Sequence, residues 1–106
     1  MPTVREIEEA IFEVAPREQA MDWDNVGHLV GRPDREVRKV LVSLDITDEV
    51  IEEAAYTGAD LIVSHHPVIF QGQKSITDRD PVGARVLRML ECGIAAICMH
   101  TNLDCA

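Results

Sequence analysis

The spacing of apolar positions changes along the chain, and each period predicts an element. Behind Thr3, the residues Val4, Ile7, Ile11 and Val14 recur at helical spacing, and Glu6 is placed to complete a capping box. Pro16 closes that helix. Residues 17–36 are polar and rich in turn formers (Gly27, Gly31, Pro33), which predicts a long loop with little regular structure. Val37 to Leu44 reads as a strand. Thr47 to Thr57 reads as a helix capped by Thr47, with Val50, Ile51, Ala54 and Ala55 facing inward and Gly58 as a left-handed terminator. Asp60 to Ser64 is a second strand, and its Leu61-Ile62-Val63 run predicts burial on both faces. A surface excursion follows from Val68 to Arg79. Asp80 and Pro81 then open a helix that runs through Val82, Val86, Leu87 and Leu90 to Gly93, and Ile94 to Met99 is a third buried strand. Strand, helix, strand, helix, strand with short connections predicts an α/β fold: a parallel-rich sheet built from βαβαβ, preceded by an N-terminal helix.

Length and composition narrow this picture. The chain has 106 residues, 46% hydrophobic and 27% charged, which fits one domain spanning 1–106. Ten Lys and Arg stand against nineteen Asp and Glu, a formal charge of −9, which argues against nucleic acid as a partner. The largest basic group is Arg35, Arg38 and Lys39. The longest apolar run, Ile94 to Met99, is far too short to span a membrane, and no secretory signal opens the chain. Cys92, Cys98 and Cys105 form no paired spacing, and an odd count suits reduced thiols in a cytoplasmic protein. Phosphate-loop, dinucleotide and nucleophile-elbow signatures are missing, and Ser64 has no base partner placed by sequence.

The candidate chemistry lies at the strand ends. Asp45 follows the first predicted strand, His65 and His66 the second, and His100 then Asp104 the third. In an open parallel sheet these ends share one edge, where ligands bind. Imidazoles together with carboxylates suit divalent zinc, manganese, iron, cobalt or nickel. Adjacent histidines at a strand end are expected to point in opposite directions, so they can serve two ions, or one can ligate while the other supports it. Pro67 holds His66 extended. Plainer readings stand beside these. The two histidines can cap the strand. Thr101 to Asp104 can be a capping box, and Asp45 can make a turn before Thr47. Cys98 and Cys105 read as buried thiols, Met89 and Met99 as core filling, and Trp23 as a core or interface anchor.

Four segments in order carry a family resemblance: Trp23-Asp24-Asn25-Val26-Gly27, Leu41 to Asp45, Ser64-His65-His66-Pro67 with Ile69-Phe70, and His100-Thr101-Asn102-Leu103-Asp104. Together they resemble the N-terminal half of the NIF-three-like dinuclear-metal family, also called GTP cyclohydrolase I type 2 homologues. The resemblance implies a half-domain of a longer two-lobed α/β fold, a ring-shaped homohexamer, and up to two divalent metal ions per subunit. It implies His65, His66 and Asp104 as metal ligands and His100 as a catalytic group lining the site. Asp24, Asn25, Asp45, Thr101 and Asn102 are then expected to bind substrate or to support the ligands. His28 stands where the family pattern favours leucine. Family members continue well beyond this length and draw further ligands from a later His-x-x-x-Glu segment, so the chain is expected to be a fragment with an incomplete metal set. An uncovered sheet face and edge then favour self-association. The function implied is a metal-dependent hydrolase acting on a nucleotide or another small molecule. The alternatives are a non-enzymatic metal-binding regulatory or assembly module, and an inactive truncated fragment.

Overall fold

Each helix forms where the sequence supplies both a cap and an apolar stripe. The computed structural model describes residues 1–106 and places α1 at Val4–Val14. The Thr3 hydroxyl accepts from the Glu6 N–H at 3.3 Å, and the Glu6 carboxylate accepts from the Thr3 N–H at 2.9 Å, so the capping box is complete. Strand β1 is Gly27–Val30 and β2 is Val40–Ser43. Helix α2, Asp48–Thr57, starts on Thr47, whose hydroxyl accepts from the Val50 N–H, and ends at Gly58 with φ +77°. Strand β3 is Leu61–Ser64. Helix α3, Pro81–Glu91, is capped by Asp80, and β4 follows at Ala95–Cys98. A short α4, Thr101–Asp104, closes the chain.

The sheet order is β1-β4-β3-β2. The three predicted strands β2, β3 and β4 are parallel, as their crossover helices require. Alternation along β3 and β4 sorts side chains between two cores. Leu61, Ala95 and Ile97 pack with Val4, Val37 and Met99 beneath α1. Ile62, Ala96 and Cys98 pack with Ile51 and Ala54 of α2 and Val86 and Met89 of α3 on the other face. The result is three layers, with helices on both faces of β3 and β4.

Several expectations need correction. The segment 17–36 is not irregular throughout: Arg17–Gln19 forms a single 3-10 turn, and Gly27–Val30 is a strand pairing antiparallel with β4. The β2 strand is shorter than the run Val37 to Leu44, because Asp60 captures the N–H groups of Arg38 and Lys39 before the ladder begins. Val14 and Leu90 belong to the predicted stripes but are exposed; Ala15 and Met89 take the adjacent buried positions. Trp23 is no core anchor, with 58% of its surface exposed, and Cys105 is exposed whereas Cys98 is buried. No helix is long and apolar enough to cross a membrane.

Candidate metal centre

The parallel strands deliver their C-terminal ends to one edge, and the polar residues follow immediately. His65 and His66 lie just past the end of β3, and their N–H groups donate to the carbonyls of Ser43 and Leu44 at the end of β2. His100 lies two residues past β4. Because β1 runs antiparallel to β4, the segment that leads into it arrives at this same edge, bringing Trp23, Asp24 and Asn25.

The three imidazoles form a nearly equilateral triangle, with ring centroids 5.0, 5.2 and 5.3 Å apart. One ring nitrogen from each lies within 4.8 Å of the others. The expected divergence of His65 and His66 does not occur, because β3 ends at Ser64 and strict alternation ends with it. The His66 side chain is the most open at 44% exposed, against 25% for His65 and 21% for His100.

Each imidazole is braced by its own carboxylate. His66 Nδ1 donates to Asp45 at 2.5 Å and His100 Nδ1 to Asp24 at 3.0 Å, so in the neutral imidazole tautomer Nε2 carries the lone pair on both rings. His65 Nε2 donates to Asp104 at 2.9 Å. Its Nδ1 is buried with no hydrogen-bond partner. A buried, unpartnered imidazole nitrogen costs stability unless something accepts its lone pair. Together with two free Nε2 atoms and three nearby carboxylates, it is a donor set that fits a divalent first-row metal ion.

Asp24 fixes the far side of the site. Its side chain is fully enclosed and accepts from the Thr101 hydroxyl at 2.7 Å, the Thr101 N–H at 2.9 Å and His100 Nδ1. Burial by itself would raise its pKa, but the Thr101 hydroxyl and N–H, His100 and the Asn25 N–H outweigh it and hold the carboxyl down at about 2. The Thr101 hydroxyl in turn accepts from the Met21 N–H. Asn102 is buried: its Oδ1 accepts from the His100 N–H, and its Nδ2 donates to the Ala15 carbonyl. Asn25 donates to the Ile69 carbonyl at 2.7 Å. Thus Asp24 and Asn102 act on His100 or its backbone, Thr101 holds Asp24, Asp45 acts on His66, and Asn25 joins two loops. The capping-box reading of Thr101 to Asp104 does not hold, since His100 occupies the cap position and Asp104 turns to His65.

Ser64 is no nucleophile in this arrangement: its hydroxyl donates to the His66 carbonyl and contacts Cys98 Sγ. Burial pushes the Cys98 thiol pKa up, which keeps it protonated. His28 lies in β1 with Nε2 2.8 Å from the Val30 carbonyl, away from the triangle. Beside His65 opens an apolar groove between Ile11, Val42, Val63, Met99 and Leu103. The other concavity, between Arg32, Arg35 and Gly93, lies at the opposite end of the sheet. Phe70, singled out in the sequence only beside Ile69 in the resemblance, meets Trp23 at the rim of the triangle. The scarcity of aromatic residues, 4% of the chain, was the available signal.

Residues 2–106 match the family model for Duf34/NIF3 (NGG1p interacting factor 3). The chain belongs to the Duf34/NIF3 family. This NIF3-family chain is 39% identical to a Streptomyces coelicolor protein named GTP cyclohydrolase 1 type 2 homolog, over all of its own length and 37% of the relative's. It is 45% identical over 89 residues to a protein of the same name from Staphylococcus aureus, covering 84% of this chain and 24% of that one. Among solved structures, Staphylococcus aureus protein SA1388 superposes with a TM-score of 0.92 at 39% identity, covering 97% of this chain and 33% of the other. A Bacillus cereus protein related to NIF3 gives 0.89 at 36% identity, covering 97% and 28%. The NIF3-family chain therefore spans between about a quarter and two fifths of the length of these curated relatives.

Proposed function

We propose that the histidine triangle holds a divalent first-row metal ion and that this chain forms part of a metal-dependent hydrolase centre. The observation that carries the reading is the donor set: three convergent imidazoles, each braced by a separate carboxylate, with His65 Nδ1 buried and unpaired. A divalent ion held there supplies Lewis acidity and makes water a nucleophile near neutral pH. The chain's own residues do the rest. His65, His66 and His100 present nitrogen donors, Asp45 and Asp24 fix the tautomers of His66 and His100, and Asp104 adds an exposed carboxylate beside His65. With further ligands from a family-length chain, the same cluster together with Asp104 would hold a second ion. The names of the relatives favour a nucleotide or a related small molecule as substrate.

The test is elemental analysis of the 106-residue chain loaded with zinc or manganese and desalted, reported as metal per chain. The expected result is about one ion or more per chain, lost in His65→Ala and His100→Ala while the far-ultraviolet spectrum is kept. A folded wild-type chain that retains no metal overturns the reading.

One observation favours a second reading, a metal-stabilised assembly module: the edge strand β2 exposes Val40, Val42 and the following Leu44. In that case chelation changes the oligomeric mass, and no hydrolysis accompanies metal loading.

A further inference from the structure

The chain has four aromatic residues, Phe12, Trp23, Tyr56 and Phe70, and two of them meet at the metal centre. Trp23 is 58% exposed and Phe70 is 49% exposed. Their centroids are 5.9 Å apart in an edge-to-face arrangement, and Trp23 stands 6.1 Å from the His100 ring in the same manner. Isolated exposed apolar residues are ordinary, but a contiguous exposed pair at the rim of a polar cluster marks a binding surface. The pair is also held in place. Asp24, next to Trp23, is locked to His100 and Thr101, and the Asn25 side chain donates to the carbonyl of Ile69, next to Phe70. Neither loop can drift without breaking a hydrogen bond to the other or to the site.

We propose that Trp23 and Phe70 form the recognition wall for a planar heteroaromatic ring of the substrate. The inference rests on the metal-centre reading and deepens it by naming the substrate's chemical class. An edge-to-face contact leaves ring faces free for a third ring, and stacking on such faces tolerates many heterocycles. A ring seated on Trp23 places its substituents beside His100, and His65 and His66 lie within one further ring diameter. The groups around the histidines are the carboxylates of Asp24, Asp45 and Asp104, whereas the Arg35, Arg38 and Lys39 segment is bound to Asp60 at the other end of the sheet. In the metal-free protein the ring, and not a phosphate, is therefore what the mouth recognises.

Trp23 is the sole tryptophan, so its fluorescence reports directly on this wall. Adenosine is titrated into the metal-free and the metal-loaded chain, with ribose and adenosine monophosphate alongside, and metal content is measured on each sample. Adenosine is expected to quench Trp23 saturably, ribose to have no effect, and the monophosphate to bind no tighter than adenosine when metal is absent. Phe70→Leu should weaken adenosine about fivefold or more with melting temperature and metal content unchanged. Trp23→Leu, followed by calorimetry, should do the same. No saturable quenching up to the solubility limit, equal quenching by ribose, or an unchanged affinity in both variants overturns the proposal. A chain that binds metal but no ring defeats the wall and leaves the metal reading standing; a chain that binds the ring but no metal does the reverse.

Discussion

Asp60 illustrates how much one carboxylate can organise. It accepts from the Arg38 N–H at 2.8 Å, from Arg35 Nη2 at 2.7 Å and from the Lys39 N–H at 3.2 Å, so it fastens the approach to β2 onto the start of β3. The Arg38 N–H, then the Arg35 guanidinium, hold its pKa below the ordinary carboxylate value against the opposing effect of burial. A carboxyl depressed in the folded state contributes stability above its unfolded pKa and loses it as pH falls through the folded one. Acid unfolding of the wild type should therefore steepen below about pH 4. Asp60→Asn should cost about 1–3 kcal/mol at neutral pH and show less acid sensitivity, checked by urea melts across pH. Little of this was legible in sequence, where Arg35, Arg38 and Lys39 stand out as a basic patch and their partner lies more than twenty residues away. The same holds at the histidine triangle. His65, His66 and His100 could be placed at one edge from strand order alone. The assignment of Asp24 to His100 could not, because 76 positions separate them and only the antiparallel β1 brings them together.

At the scale of elements, local signals worked where they were redundant. Thr3 with Glu6, Thr47 with Gly58, and Asp80 with Pro81 each mark a helix twice, and all three helices form there. Strand β1 has no such signal. Gly27 and His28 do not read as strand, and the segment is held by pairing with β4, a tertiary effect that overrides propensity. Gly83 carries the opposite lesson, since in the first turn of α3 an alanine looks favourable on helix propensity. A Cβ there would lie 2.1 Å from the Thr77 carbonyl oxygen, a backbone atom in the connection leading to α3. Gly83→Ala should therefore destabilise by about 1–3 kcal/mol instead of stabilising, as read by thermal melting. The glycine lets the surface excursion lie against the helix.

For the molecule as a whole, the βαβαβ pattern was enough to fix the sheet's parallel core, because right-handed crossovers leave few alternatives. What it did not reveal is how unevenly the sheet is covered. Helix α1 reaches β4 and β3, while β2 remains an edge strand with Val42 exposed. Unpaired backbone groups flanked by apolar side chains invite another strand. The 106-residue chain should show concentration-dependent growth in mass by light scattering, and Val42→Lys should reduce it with little change in melting temperature, since that side chain packs against almost nothing.

The antiparallel entry of β1 also has a consequence in time. Asp24 is synthesised early, but the imidazole and hydroxyl that satisfy it belong to His100 and Thr101, 76 and 77 positions further on. On a ribosome, a nascent chain lacking those residues exposes two adjacent histidines and an unpaired carboxylate loop. Closure of the triangle thus waits on a contact of large sequence separation, whose loop-closure entropy must be met first. A cation that meets the chain early finds only two imidazoles, so selective loading belongs to the finished fold and not to its assembly.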